Sequence, residues 1–310
     1  MRYIDLFAGI GGFRYGLERI GVTESNASTF QCVYSNEWDK YANSVYKKHY
    51  GECDDRDIRT VKSEEIPDHD LLVGGFPCQA FSVAGRRAGF EDTRGTLFFE
   101  IARILREKQP RILLLENVKG LLSHDSGKTF GVIIATLDEL GYDLQWQVLN
   151  SKNFGVPQNR ERVFIVGNLR GTSRPQVFPL GETNTKDIVQ LNQPTHSNNR
   201  IYGDKGISPT LNTMQGGMRQ PKIFSDTSGR KKRQNGRGWR EKESFTLNQI
   251  EVQGIESGNL IRRLTPTECA RLQGFPDDWC EGLSDTQQYK CYGNAVTTNV
   301  ITAIMERLNE

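Results

Sequence analysis

The chain has 310 residues and a mass of 35.1 kDa, with 40 Lys+Arg against 38 Asp+Glu, a net charge of +2, 36% hydrophobic residues and a mean hydropathy of −0.57. That length holds one large domain or two unequal ones with an adequate core, and the composition excludes collagen-like, disordered and membrane-spanning classes. Six cysteines without a Cys-x-x-Cys spacing and only four histidines exclude a usual zinc pattern, and a chain that opens on a strand-like run without a basic, apolar and cleavage region reads as cytoplasmic with reduced thiols.

Over the first 168 residues, short apolar runs at 3–7, 30–34, 71–73, 112–115, 144–149 and 163–166 predict strands. Segments 40–49, 97–107 and 129–140 between them predict helices. Short, almost wholly apolar strands separated by helices imply a mostly parallel sheet covered on both faces. This is a doubly wound α/β architecture, whose ligands bind beyond the carboxyl ends of the strands. From 168 to 260 the chain turns rich in Gly, Asn, Gln, Ser and Thr and predicts irregular loops and short strands. This segment holds 14 Lys+Arg against 8 Asp+Glu, and the rest holds 26 against 30. The small net charge therefore joins a basic segment to a slightly acidic body. The densest basic stretch, 229–240 (GRKKRQNGRGWR), has six basic residues, no acid and one Trp. A phosphate backbone suits it, and a solvated surface loop is the bland alternative. Segments 206–212 and 243–248 echo each other weakly. After Ile261, Thr265-Pro266-Thr267-Glu268 predicts a helix start with a capping box, and 294–308 predicts a final amphipathic helix.

The first chemical constellation is DLFAGIGGF (5–13), a strand running into a glycine turn and a helix. Glycines let backbone bend tightly and approach a ligand. A dinucleotide fingerprint wants Gly at position 14, where Arg14 stands, so a nicotinamide dehydrogenase is disfavoured. The second strand ends at Asn36-Glu37-Trp38. An acid there can accept from ribose hydroxyls, Trp38 can stack on an adenine, and Asp57, next to Ile58, can bond an exocyclic amine. Together these describe a nucleoside-containing cofactor without a pyrophosphate contact, and S-adenosylmethionine fits. The second constellation is GGFPCQAFS (74–82), directly after a strand. A cysteine is most often a small buried hydrophobe. Cys78 instead sits in a polar loop, with Pro77 fixing its backbone, and reads as a nucleophile whose thiolate needs nearby cations. Arg94, Arg160 and Arg162 are the candidates. Glu116 ends an apolar strand, a half-buried place from which a carboxyl can hand on a proton. The alternating arginines of Gln158-Asn159-Arg160-Glu161-Arg162 can grip a phosphate or a carbonyl oxygen.

In this order the blocks DLFAGIGGF (5–13), NEW (36–38), GGFPCQAFS (74–82), DTRGTLFFE (92–100), ENV (116–118), QNRERVFIVG (158–167), RRLTPTECARLQGFPDDW (262–279) and YGNAV (292–296) resemble the bacterial-type DNA (cytosine-5-)-methyltransferases along essentially the whole chain. The resemblance implies a Rossmann-like methyltransferase sheet over 1–169 and 284–310 and a smaller, irregular, mostly-β target-recognition domain over 170–283. It implies S-adenosyl-L-methionine as cofactor, S-adenosyl-L-homocysteine as product, and no metal. Catalysis would rest on Cys78, which adds to carbon 6 of a flipped-out cytosine, on Glu116 at N3 and the exocyclic amine, and on Arg162 at the carbonyl oxygen. Cofactor binding would fall to Phe7, Gly9, Gly11, Gly12, Glu37, Trp38, Asp57, Ile58, Pro77, Asn294 and Val296. DNA contacts would come from Gln79, Ser82, Arg94 and Arg160, and from Arg230, Lys231, Lys232, Arg233, Arg237 and Arg240. The glycine-containing loop 82–94 is a candidate lid. The family often carries a Thr-Leu pair in its recognition domain, and both Thr210-Leu211 and Thr246-Leu247 offer one. The implied partner is double-stranded DNA, acted on by a monomer away from membranes as the modification half of a restriction-modification system with a cognate endonuclease. A tRNA cytosine-5 methyltransferase of the same superfamily is the alternative. The basic segment, and the absence there of the Cys-Phe-Thr tripeptide typical of that subfamily, weigh against it. A non-catalytic DNA-binding module would have lost Cys78 or Glu116, and both are present.

Overall fold

A computed structural model describes residues 1–20, 29–77, 97–173, 175–181, 201–203, 208, 209, 211, 222–226 and 259–309. The body begins with β1 (Arg2–Leu6), α1 (Gly12–Glu18), β2 (Gln31–Asn36), α2 (Lys40–Tyr50) and β3 (Leu71–Gly75). It continues with α3 (Leu97–Lys108), β4 (Ile112–Val118), α4 (Lys128–Glu139), β5 (Tyr142–Asn150), the short β6 (Gln158–Asn159) and β7 (Glu161–Leu169). The six expected apolar runs supply the six strands of one sheet in the order β2-β1-β3-β4-β7-β5. The first four are parallel, and β7 runs antiparallel to both of its neighbours. Because β2 lies on one side of β1 and β3 on the other, the sheet has its switch point at the carboxyl end of β1, where a crevice opens for a ligand.

Burial on both faces explains the apolar runs of the inner strands. Tyr3, Leu71, Val73 and Leu114 pack in one core, and Ile4, Leu6, Leu72, Leu113 and Leu115 in the other, where α3 and α4 contribute Phe98, Ile101, Ile133 and Leu137. The first core is closed by α1 and by the last helix, α7 (Thr298–Asn309). Short strands β8 (Ile201–Gly203), β9 (Ser208–Pro209), β10 (Lys222–Asp226) and β11 (Asn259–Arg263) are described in the basic segment. β10 pairs with β8 and β11, while β9 pairs with β6 and so ties this segment to the body.

Two expectations change. The boundaries at 170 and 283 fall inside the body. Val177, Phe178 and Leu180 pack in the first core. Leu264, Cys269, Ala270 and Leu272, around α5 (Pro266–Leu272), pack with Phe275 and Trp279 against Ile10, Ala42 and Val45. Trp279 Nε1 donates to the Ile10 carbonyl at 2.8 Å, and its ring stacks on His49 with centroids 3.7 Å apart. Large aromatic surface is buried here, which draws these residues onto α1 and α2. Secondly, the helix expected over 294–308 is present but starts later. A separate helix, α6 (Asp285–Asn294), ends before Ala295, which is extended (φ −63°, ψ 148°), and α7 starts at Thr298. The carbonyls of Gly293 and Ala295 bond the Arg160 guanidinium rather than a following helical turn. The predicted capping box at Thr265 is present, with Glu268 N–H donating to its hydroxyl at 3.2 Å. Among the described residues, no helix is long and apolar enough to cross a membrane.

Candidate active site

The sequence after β1 turns sharply. Phe7 (φ 55°), Gly9 (φ 57°) and Gly11 (φ 87°) take left-handed conformations before α1. For a residue as large as Phe this is a rare and costly backbone state, found where surrounding structure enforces it. The turn brings Gly9 N–H to Glu37 Oε2 at 2.8 Å, while Asp39 N–H donates to Glu37 Oε1 at 2.7 Å. Burial raises the Glu37 pKa above the ordinary glutamate range, and these two backbone donors oppose the shift. Asn43 Nδ2 holds the Glu37 carbonyl at 2.7 Å. Asp39 caps α2 by accepting from the amides of Tyr41 and Ala42, and pairs with Lys290 on α6.

Beside Glu37 lies a cleft lined by Phe7, Asn36, Trp38, Asp57, Ile58, Arg59 and Leu97. Trp38 is 64% exposed and Ile58 is buried. Asp57 accepts from Arg59 N–H and is paired with its guanidinium, which holds the carboxyl below the usual range. Four residues expected at a cofactor thus line one cleft, with Glu37 next to it. Gly12 and Val296 also meet: a Cβ on Gly12 would lie 2.7 Å from Val296 Cγ1, so only glycine lets the chain return this close. Asn294, one residue before the extended Ala295, is exposed.

The second group forms where β3 and β4 end. Gly75 is level with Glu116, and a Cβ there would lie 3.3 Å from Glu116 Oε2, so the missing side chain leaves room for the carboxylate. Arg162 is level with Val118 across the β4–β7 pairing. Its Nε lies 2.9 Å from Glu116 Oε1, with side-chain exposures of 14% and 12%. Buried Asn117 donates from Nδ2 to the Phe76 carbonyl at 2.8 Å, fixing the backbone that leads through Pro77 into residue 78. The result is a half-buried acid–guanidinium pair facing a strand end. Such a pair can hold a polar ring edge, with an acceptor or acid at one atom and a fixed cation at its neighbour.

The family model for C-5 cytosine-specific DNA methylase matches residues 1–310. The chain belongs to the C-5 cytosine-specific DNA methylases. It is 39% identical to Type II methyltransferase M.HhaI of Haemophilus parahaemolyticus, over 98% of this chain and 93% of that protein. It is 42% identical to M.NgoBI of Neisseria gonorrhoeae, over 97% of this chain and 90% of that protein. Among solved structures, a Spodoptera frugiperda DNMT2 mutant superposes with a TM-score of 0.70 at 19% identity, covering 100% of this chain and 99% of that one. The shared fold is the α/β methyltransferase fold, and the activity class of this methylase is cytosine-C5 methylation of DNA.

Within this methylase the structure brings together Glu116 and Arg162, and separately Phe7, Trp38, Asp57 and Ile58. Cys78, Gln79, Ser82 and Arg94, with the loop 82–94, lie outside the described residues, as do Arg230, Lys231, Lys232, Arg233, Arg237, Arg240 and the Thr246-Leu247 pair. Arg160 is corrected. It is 2% exposed, and its guanidinium donates to the carbonyls of Leu211, Gly293 and Ala295 at 3.3, 3.1 and 2.8 Å, so it is an interior strut and not a DNA contact. Alternation in an extended segment suggested a shared role with Arg162, but the partners of the two differ. Sequence reasoning gave no role to Asn117, Gln158 and Lys290. A buried-strand Asn directly after the acid was a usable signal for Asn117. Nothing local to Lys290 points to Asp39, which is 251 residues away. The five described cysteines are free. Burial pushes Cys32 up to about 11 and Cys53 up to about 12, so neither is a thiolate near neutral pH.

Proposed function

We propose that the protein transfers the methyl group of S-adenosyl-L-methionine to carbon 5 of a cytosine flipped out of duplex DNA, through a covalent Cys78 adduct. The observation that carries this reading is the Glu116–Arg162 pair, 2.9 Å apart, beside the end of β3, the strand that leads into Pro77 and Cys78. Carbon 5 of cytosine is a poor nucleophile inside an aromatic ring. Addition of the Cys78 thiolate to carbon 6 breaks the aromaticity and makes carbon 5 an enamine carbon. The negative charge that builds on the ring is relieved at N3 by a proton from the Glu116 carboxyl, returned to Glu116 when the adduct collapses, and is met at the carbonyl oxygen by Arg162. After methyl transfer the carbon-5 proton leaves to a base, the ring double bond re-forms, and the sulfur departs with its electron pair. Extrusion of the base from the stack costs a few kcal/mol, and the loop 82–94 is the proposed lid.

The cleft supports the cofactor assignment. Phe7, Ile58 and exposed Trp38 offer apolar and stacking surface, and Glu37 and Asp57 offer acceptors. Each Glu37 oxygen takes one backbone hydrogen bond and keeps lone-pair capacity for ribose hydroxyls. Gly9, Gly11, Gly12, Pro77, Asn294 and Val296 would complete the cradle. When bound, S-adenosylmethionine supplies an electrophilic methyl group on a sulfonium. The basic segment would carry DNA through Arg230, Lys231, Lys232, Arg233, Arg237 and Arg240, with Gln79, Ser82 and Arg94 on the catalytic side. The packing of Leu211 in the body supports Thr210-Leu211 as the family's recognition pair. The reading includes a cytoplasmic monomer acting as a restriction-modification methyltransferase, with an endonuclease of the same target as functional partner.

Incubation with S-adenosylmethionine and duplex DNA containing 5-fluorocytosine tests it, because fluorine at carbon 5 cannot leave as a proton does. A covalent complex is expected, and Cys78→Ala should abolish it. An adduct that survives the substitution, or transfer to tRNA without transfer to DNA, overturns the reading. Bisulfite sequencing of plasmid from an expressing host then gives the target sequence.

A further inference from the structure

Arg160 and Gln158 form a clamp that the proposed chemistry does not use. Gln158 is fully buried. Its Oε1 accepts from Leu211 N–H at 3.2 Å, and its Nε2 donates to the Leu272 carbonyl at 2.7 Å. Arg160 takes the other side of the same residue, the Leu211 carbonyl, and spends its remaining Nη donor on Gly293 and Ala295. Both backbone groups of Leu211 are thus satisfied by side chains from one short segment, whose β6 part also pairs with Ser208 and Pro209. The Gly293–Ala295 break held from the other side leads directly to Val296, against Gly12 at the turn after β1. Two residues beyond Arg160, Arg162 holds Glu116. A single buried guanidinium therefore spans the basic segment and the turn beside the cleft.

We propose that Arg160, supported by Gln158, is a positioning residue that couples target recognition to cofactor binding. This rests on the methyltransferase reading above. Displacement of Leu211 by DNA engagement would be felt at the carbonyls of Gly293 and Ala295, because the same rigid fork bonds all three. A guanidinium fits this task through its planar fixed geometry, whereas an ammonium is a point donor on a flexible stem that cannot hold three carbonyls at once in that arrangement. Coupling of this kind is reciprocal: DNA must tighten the cofactor product as much as the product tightens DNA.

The test is calorimetric titration of the full-length protein with S-adenosylhomocysteine, alone and saturated with a duplex carrying the bisulfite-identified target. The ratio of the two affinities is the coupling factor. In the unmodified protein it is expected on the order of tenfold. Arg160→Lys should bring it close to one, while each ligand still binds singly. Gln158→Leu, which loosens Leu211 but leaves Gly293 and Ala295 bonded, should lower the factor and leave the affinity of the free protein for S-adenosylhomocysteine within about twofold. A purely structural role would weaken both affinities and leave their ratio intact, and that result overturns the inference. A factor of one in the unmodified protein does so too. Failure of the unmodified protein to bind either ligand is a different outcome, since it removes the methyltransferase reading itself.

Discussion

Asp5 lies on β1, between β2 and β3, fully buried, and neither carboxyl oxygen has a hydrogen-bond partner among the described residues. Desolvation raises its pKa well above the ordinary aspartate value. A carboxyl raised in the folded state contributes its full stability below its unfolded pKa and loses it as pH rises toward the folded one. The melting temperature of Asp5→Asn should therefore exceed that of the unmodified protein at pH 8, and the gap should close as pH falls toward about 4. An unchanged gap across that range would show that Asp5 does not titrate against folding. At Asn117 the loss is of another kind. Asn117→Ala strips the Phe76 carbonyl of its donor, which costs about 1–3 kcal/mol at a buried site. It should also lower the turnover number more than the affinity for DNA, as steady-state kinetics would show. Glu116 and Arg162 were legible in the sequence because an acid ending an apolar strand and an arginine entering one are chemically marked. Arg160 was not, since what separates it from Arg162 is a set of carbonyls at 211, 293 and 295 that no local pattern reveals.

At the scale of the elements, caps and turns were readable where side chains bond locally, and misread where a distant group decides. The Thr265 capping box follows from residues within one turn, and Thr265→Ala should cost about 1 kcal/mol, seen as a lower melting temperature with the 5-fluorocytosine adduct still formed. The inner strands β1, β3, β4 and β7 were legible because burial on both faces demands largely apolar runs, whereas the edge strands β2 and β5 are only partly buried and carry more polar residues. The reversal of β7 was not, because an antiparallel strand buried on both faces shows the same run. The break between α6 and α7 at 295–297 escaped the periodicity because apolar residues 295 and 296 extend the spacing of α7 backwards, while Arg160 captures the carbonyls of Gly293 and Ala295. Gly12 belongs to this scale too, as the point where that break meets α1. Gly12→Val should weaken S-adenosylhomocysteine binding severalfold in calorimetry, with a smaller effect on DNA affinity.

For the whole molecule, residues 177–180 and 264–280 contribute to the cores of the body, so the proposed recognition segment is better bounded near 182 and 263 than at 170 and 283. The composition shift did not reveal the packing of Val177, Phe178 and Leu180 in the core, nor that of Phe275 and Trp279 on the first two helices. Exchange of 182–263 for the matching segment of a related methyltransferase should give a folded protein with a new target by bisulfite sequencing. Exchange of 170–283 should instead lower the melting temperature sharply, because it replaces half of an interface and keeps the other half. Equal stability of the two chimaeras would refute this boundary.

The contacts that join the ends of the chain also set a schedule. The cleft is built from residues made early, among them Phe7, Trp38 and Ile58, yet Asp39 waits for Lys290 and Gly12 waits for Val296. A nascent chain can assemble its parallel strands on the ribosome and still lack both of those supports. Lys290 and Val296 follow the basic segment in the chain, so synthesis itself delays both supports of the pocket until that segment has been made.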